Sequence, residues 1–221
     1  MAYRLPSHVS FGLVHERAVV LDLKLDRYLL LGSAETDALR ALGSTDDPLP
    51  LTATRNLLVR GLICEGSGEA IAPVEQEPPL ASALETGEPG CGISALEAMR
   101  HCIGNLMVLR VGGLSRVLER ARQARARGAR RAGGRLAEYH VRAAELARGF
   151  SEARIAVPMP RLCIPDSLAL AHCLWRRGLS ADLLFGVQLD PLLAHAWVQS
   201  GPLVLSDPLN IVADYSPVFK L

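Results

Sequence analysis

Residues 161–207 read RLCIPDSLALAHCLWRRGLSADLLFGVQLDPLLAHAWVQSGPLVLSD. Proline is tolerated in the first helical turn and an acid suits it, so Cys163 opens a helix that ends at Gly178. Ala181 to Gln188 reads as a strand and Asp190-Pro191 as a turn. Ala194 to Val198 is a second strand, and Gly201-Pro202 turns it back into Leu203 to Leu205. A helix followed by antiparallel strands makes this half of the chain α+β. The same reading places Cys163 at a helix N-terminus, where the dipole favours a thiolate. It places His195 in a strand and Asp207 after the neighbouring one, where a His–Asp contact is easy. Nucleophile, base and orienting acid then have three candidates.

Duller readings of these residue types compete. A lone histidine in a strand is often core, and Cys173, among Leu170, Leu174 and Trp175, reads as a packed thiol. A zinc site from Cys163, His172, Cys173 and His195 would lack both CxxC and HxxxH spacing, so no metal is expected.

Outside this stretch, Ser94 starts a helical period with Leu96, Met99, Ile103, Leu106 and Met107 on one face. Val117, Leu118 and Ala121 continue a second helix. Arg116 to Arg131 is a basic run without stacking aromatics, which argues against nucleic acid and for a solvated face or an acidic partner. Gly133-Gly134 breaks the run before a helix over Leu136 to Phe150.

The N-terminal part is of another kind. His8 to Val14, the alternating Val19 to Leu25 and the apolar Tyr28 to Leu31 predict a three-stranded antiparallel meander, with a turn at Asp26-Arg27. A helix capped by Ser33 runs to Leu42 and stops at Gly43. After the DDPLPLT turn a second helix runs from Thr52 to Gly61. The Gly-, Pro- and Glu-rich residues 67–92 read as a linker between a small α+β domain (1–66) and a larger one (93–221).

The 221 residues carry a formal net charge of +1, so bulk charge draws the chain to neither nucleic acid nor an anionic membrane. No apolar run is long enough to span a bilayer. The N-terminus lacks signal-peptide features, and the five cysteines have no regular spacing, so reduced thiols in a cytoplasm are expected.

The combination Cys163, Ser167 to Leu170, Leu174 with Arg177-Gly178, Gly186-Val187, Ala194 to Val198 and Asp207 resembles the lasso peptide biosynthesis B proteins. These are transglutaminase-like, papain-like cysteine peptidases. VVLDLKLDRYLLLGSAETDALRAL (19–42) resembles the PqqD-like leader-recognition domain, a winged-helix-type element of ribosomal peptide pathways. Two positions depart from the family pattern. Leu192 stands where Phe is common after Pro191, and Gln199 where Glu is frequent, changes that would touch the substrate groove.

The resemblance implies a leader peptidase with Cys163 as nucleophile, His195 as general base and acid, and Asp207 orienting the histidine. It implies leader capture as an added strand near Tyr28, Leu29, Leu30, Leu31, Leu57 and Leu58, with core packing the alternative for Leu29 and Leu31. Expected partners are the precursor peptide and an ATP-dependent, asparagine-synthetase-like cyclase. No cofactor is expected. The rival readings are acyl transfer to an amine and a non-catalytic leader-binding adapter.

Overall fold

The computed structural model describes residues 3–43, 51–130 and 136–221. The DDPLPLT turn, apart from Leu51-Thr52, and the Gly133-Gly134 break lie outside them. The chain forms two compact units. One holds Met1–Gln76, Gly186–Leu193 and Ser216–Phe219; the other holds Glu77–Phe185, Ala194–Tyr215 and Lys220–Leu221.

In the first unit β1 (Tyr3–Arg4) is followed by β2 (Val9–Val14), β3 (Arg17–Asp22) and β4 (Arg27–Leu30), then α1 (Ser33–Gly43), α2 (Leu51–Val59) and β5 (Cys64–Glu65). Strands β2, β3 and β4 form the expected antiparallel meander, in that order. Strand β3 stops at Asp22, short of the predicted Leu25, because the Asp22 carboxylate accepts from the backbone N–H groups of Lys24 and Leu25 and closes a turn. Its burial is continuous from Ala18 to Asp22 instead of alternating. One face of the meander packs in a core with Phe11, Val20, Leu31, Leu39 and Leu57. On the other, Ser10 Oγ donates to the Val218 carbonyl at 2.6 Å, so Ser216–Phe219 covers that side within the same unit.

The second unit begins in the stretch expected to be a linker. Part of that stretch is built into a sheet: β6 (Ala81–Ser82) is followed by a 3-10 turn, Ala83–Glu85. In chain order there follow α3 (Ala95–Ala129), α4 (Leu136–Ile155), α5 (Cys163–Arg176), β7 (Asp182–Gln188), β8 (Leu193–Ser200), β9 (Leu203–Val204), α6 (Leu209–Val212) and β10 (Ser216–Lys220), of which the end of β7 from Gly186 and β10 up to Phe219 are counted in the first unit. The five-stranded sheet has the order β10-β7-β8-β9-β6, antiparallel from β8 to β9 and parallel from β9 to β6. The sequence reading had no place for β6, α6 or β10.

Helix α3 starts as expected, with the Ser94 hydroxyl accepting from the Glu97 N–H at 3.2 Å. It kinks at Gly113, whose φ of 69° and ψ of −177° suit only glycine. Its expected apolar face is not the buried one. Leu96, Ile103 and Met107 are exposed, while Ala98, Cys102 and Asn105 are buried. The small side chains Ala98 and Cys102 permit close helix approach, which long side chains on the neighbouring face do not. Beyond the kink, Val117, Leu118 and Ala121 are buried as read. No helix among the described residues is long and apolar enough to cross a membrane.

Candidate active site

Helix α5 begins at Cys163, and its first turn is held from three sides. Asp166 accepts from the Leu162 backbone N–H at 3.2 Å, reaching back over the helix start as a capping carboxylate does. The other Asp166 oxygen accepts from Arg154 Nε at 2.9 Å. Arg154 is 4% exposed and donates further to the carbonyls of Val157, Met159 and Pro160. One guanidinium of α4 therefore fixes both the α4–α5 loop and the helix turn that carries the cysteine. Ser167, buried, donates from Oγ to the Ala196 carbonyl at 2.8 Å and pins α5 to β8 beside His195.

His195 Nε2 lies 3.1 Å from Asp207 Oδ1. Asp207 is itself held: Ser206 Oγ donates to its Oδ2 at 2.5 Å, and Ser82 Oγ donates to its backbone carbonyl at 2.7 Å. Strand β6, unforeseen in the sequence, is thus what anchors the acid. The imidazole stacks on Trp197 with ring centroids 6.4 Å apart and is flanked by Tyr215 at 5.5 Å. Tyr215 in turn packs with the Leu184, Trp197, Val204 and Val212 cluster.

The electrostatics single out one thiol. Burial pushes Cys102 and Cys173 up to about 12, far from ionisation at neutral pH. Desolvation also opposes the Cys163 thiolate. A hydrogen bond and charge from His195, with the backbone N–H groups of Ala196 and Ile164, outweigh it and hold Cys163 below the usual cysteine range. For His195, burial opposes the imidazolium, but the bonds with Asp207 and Cys163 overcome it and lift the ring to about 9. Both shifts favour the thiolate–imidazolium form of the pair over the neutral one. With Nε2–H donating to Asp207, Nδ1–H is the nitrogen left for the sulfur. Cys163, His195 and Asp207 line one cavity of about 260 Å³, with Phe150, Leu162 and Leu205 among its apolar walls.

Such a thiolate, with a proton donor beside it, can attack a carbonyl carbon and protonate the departing group. The structure brings together all three residues picked as nucleophile, base and orienter. It adds Arg154, Asp166, Ser206 and Tyr215, which the sequence reading did not single out. Asp166 had a visible signal as an acid in the first helical turn. Arg154 and Tyr215 had none, since their partners are set by tertiary packing.

Other expected positions fare differently. Gln199 is fully buried, accepting from Trp197 Nε1 and donating to the carbonyls of Glu77 and Gly201. It braces the sheet and does not line the groove. His172 and Cys173 do not join Cys163 and His195 at the cavity. Glu97, His101 and Cys173 approach one another closely enough to share an ion, but both Glu97 oxygens already bond to Arg177 and the Cys173 thiol resists ionisation.

Among the residues expected to meet a leader peptide, Leu31 and Leu57 are fully buried in the first unit's core. Leu29 and Leu58 pack against that core half-buried. Tyr28 is half-buried and Leu30 is 38% exposed, both on β4. Among the described residues that strand pairs in its sheet with β3 alone, as the last strand in the order β2-β3-β4.

A family model described as the transglutaminase-like superfamily matches residues 106–220, just over half of the chain. Comparison with curated proteins and with solved structures finds no match.

Proposed function

Because the chain belongs to the transglutaminase-like superfamily, whose members are typically cysteine-dependent enzymes, we propose that it is the leader peptidase of a lasso peptide pathway. The observation that carries the chemistry is the contact chain from Cys163 to His195 to Asp207, with its depressed thiol and elevated imidazole. The lasso assignment rests on the residues that resemble the B proteins, the Cys-x-x-x-Ser-Leu-Ala-Leu helix and Ala194 to Val198 above all.

The Cys163 thiolate attacks the carbonyl carbon at the leader–core junction. The developing oxyanion is met by the Cys163 backbone N–H, and His195 gives its proton to the departing core amine. A water molecule then attacks the thioester carbonyl, losing its proton to His195, and Cys163 leaves as the thiolate. Asp207 keeps the ring oriented through both steps and stabilises its charged form. The freed core N-terminus passes to an ATP-dependent, asparagine-synthetase-like cyclase. Residues 1–66 act as a PqqD-like leader-binding domain and residues 93–221 as the peptidase. The leader adds along the outer edge of β4 beside Tyr28 and Leu30, while the buried Leu31 and Leu57 support that strand from beneath.

The test is mass spectrometry of a precursor peptide incubated with the wild-type protein and with Cys163→Ala. Cleavage at one bond by the wild type alone supports the peptidase. A product lighter by ammonia, joined to an amine, would instead establish transglutaminase-type acyl transfer, which the same three residues can run. Cleavage that survives Cys163→Ala would remove the cysteine mechanism. No cleavage by either protein with the cyclase and ATP present would leave a leader-binding adapter.

A further inference from the structure

Away from Cys163, α3 and α5 enclose a second cavity of about 660 Å³ that shares no lining residue with the first. Its walls carry Arg100 and His101 from before the Gly113 kink, Arg120 and Arg127 from after it, and His172 and Arg176 from α5. Among the described residues no acidic side chain lines it. Two acids adjoin its walls: Glu119 accepts from the lining residue Gln123 at 3.2 Å, and Glu97, in an adjoining cavity that shares Arg100, His101 and Arg176, is bound through both oxygens by Arg177.

This concentration of charge is local. The whole chain has a formal net charge of only +1, yet four arginines face one concavity. Two other arginines of α3 have acid partners: Arg125 pairs with Asp182 at 2.6 Å and Arg122 with Glu119 at 3.9 Å. Among the described residues no ion pair joins Arg100, Arg120 or Arg127 to a carboxylate. Like charges around a cavity with low-dielectric walls focus a positive potential there.

The imidazoles complete the site as neutral donors. Burial, then the charges of His101, Arg127 and Arg176, bring His172 down to about 4, and His101 is likewise lowered, by burial first and Arg176 next. The Asn105 amide nitrogen lies 3.4 Å from His172 Nδ1. Asn105 can only donate from that atom, so the neutral ring carries its proton on Nε2.

From this geometry we infer that the α3–α5 cavity is a binding site for a small ligand bearing a diphosphate group. The volume falls within the roughly 300–1,000 Å³ of small-molecule sites. Guanidinium forks match phosphate oxygens two at a time, and several together suit a multivalent anion better than a single carboxylate. An extended acidic peptide would place its carboxylates several ångströms apart along a groove, whereas these cations converge on one concavity.

The test is isothermal titration of the full chain with inorganic pyrophosphate and, separately, with uridine diphosphate. Expected is saturable binding of one ligand per chain, weakened at least tenfold in Arg120→Ala/Arg127→Ala and unchanged in Arg122→Ala, which lies outside the cavity. Circular dichroism checks that the double variant is folded. Arg127→Lys, which keeps charge without the fork, should fall between the two. Tighter binding of uridine diphosphate than of pyrophosphate identifies a phosphate ester as the source of the group; the reverse identifies free diphosphate. No saturable heat at millimolar ligand, equal affinity in the folded double variant, or tighter binding of a penta-glutamate peptide would each overturn the proposal.

Discussion

At the scale of single residues, Cys163 and His195 move each other's ionisation in opposite directions, which fixes a pH window. The thiolate–imidazolium pair exists above the lowered Cys163 pKa and below about 9, where His195 gives up its proton. The proposed activity should therefore show a bell-shaped kcat/KM profile with an alkaline limb near pH 9. Asp207 raises the His195 pKa, so Asp207→Ala should draw that limb back toward the ordinary histidine value of about 6.5. The same variant should lower kcat by roughly 10²–10⁴-fold. A limb that stays in place would mean that Asp207 does not set the histidine's charge. Independently of any substrate, iodoacetamide should alkylate Cys163 at pH 7 about tenfold faster in the wild type than in His195→Ala, because the thiolate fraction depends on the imidazolium. Peptide mapping would locate the label, with Cys102 and Cys173 spared. Equal rates would sink the ion-pair description.

At the scale of elements, the turn that presents Cys163 depends on a buried ion pair between helices. Removing one partner leaves the other charged, buried and unmatched, a loss of about 3–5 kcal/mol. Asp166→Ala should accordingly lower the urea midpoint sharply, since it strands Arg154 at 4% exposure. The double variant Arg154→Met/Asp166→Leu should be more stable than Asp166→Ala alone, yet less active than the wild type. A thioether in place of the guanidinium has no N–H to hold the Val157, Met159 and Pro160 carbonyls. A second device is the approach of α3 to α5. A Cβ on Gly128 would lie 2.3 Å from the Trp175 carbonyl oxygen, so Gly128→Ala should cost about 1–3 kcal/mol through backbone displacement. Chemical denaturation that finds it neutral would show that the helices can slide. Much of this layer was legible from the chain: Pro165 and Asp166 mark the start of α5, and Gly201-Pro202 marks the hairpin beyond β8. What escaped was decided by tertiary partners. Periodicity showed that Leu96, Ile103 and Met107 share a face, but close packing on Ala98 and Cys102 chose the neighbouring one. Strand β6 is two residues long, too short to carry a pattern, and it sits in a Pro-rich stretch that reads as a connector. Arg154 carried no signal in the sequence, because its ligands are loop carbonyls that no side-chain spacing encodes.

At the scale of the whole molecule, the proposed function joins a binding surface to a reactive centre in one chain. On that proposal, a leader held by residues 1–66 would raise the local concentration of the scissile bond at Cys163, and the active site would need little affinity of its own. This separates two quantities that a single-site enzyme would change together. Strand addition draws on the backbone groups of an exposed edge and on apolar neighbours, and Leu30 is the most open apolar side chain of β4, at 38% exposure. A charge there opposes docking of an apolar leader face without disturbing the buried Leu31 beneath it. Leu30→Asp should weaken binding of a fluorescent leader peptide at least tenfold and raise KM for the full precursor by a similar factor. Hydrolysis of a short peptide that spans only the junction should be unchanged, because it never engages β4. Loss of both activities together would point to a damaged fold, which thermal unfolding of the variant would reveal. Unchanged leader affinity in a folded Leu30→Asp protein would instead move the recognition surface off this edge, while leaving the chemistry assigned to Cys163, His195 and Asp207 untouched.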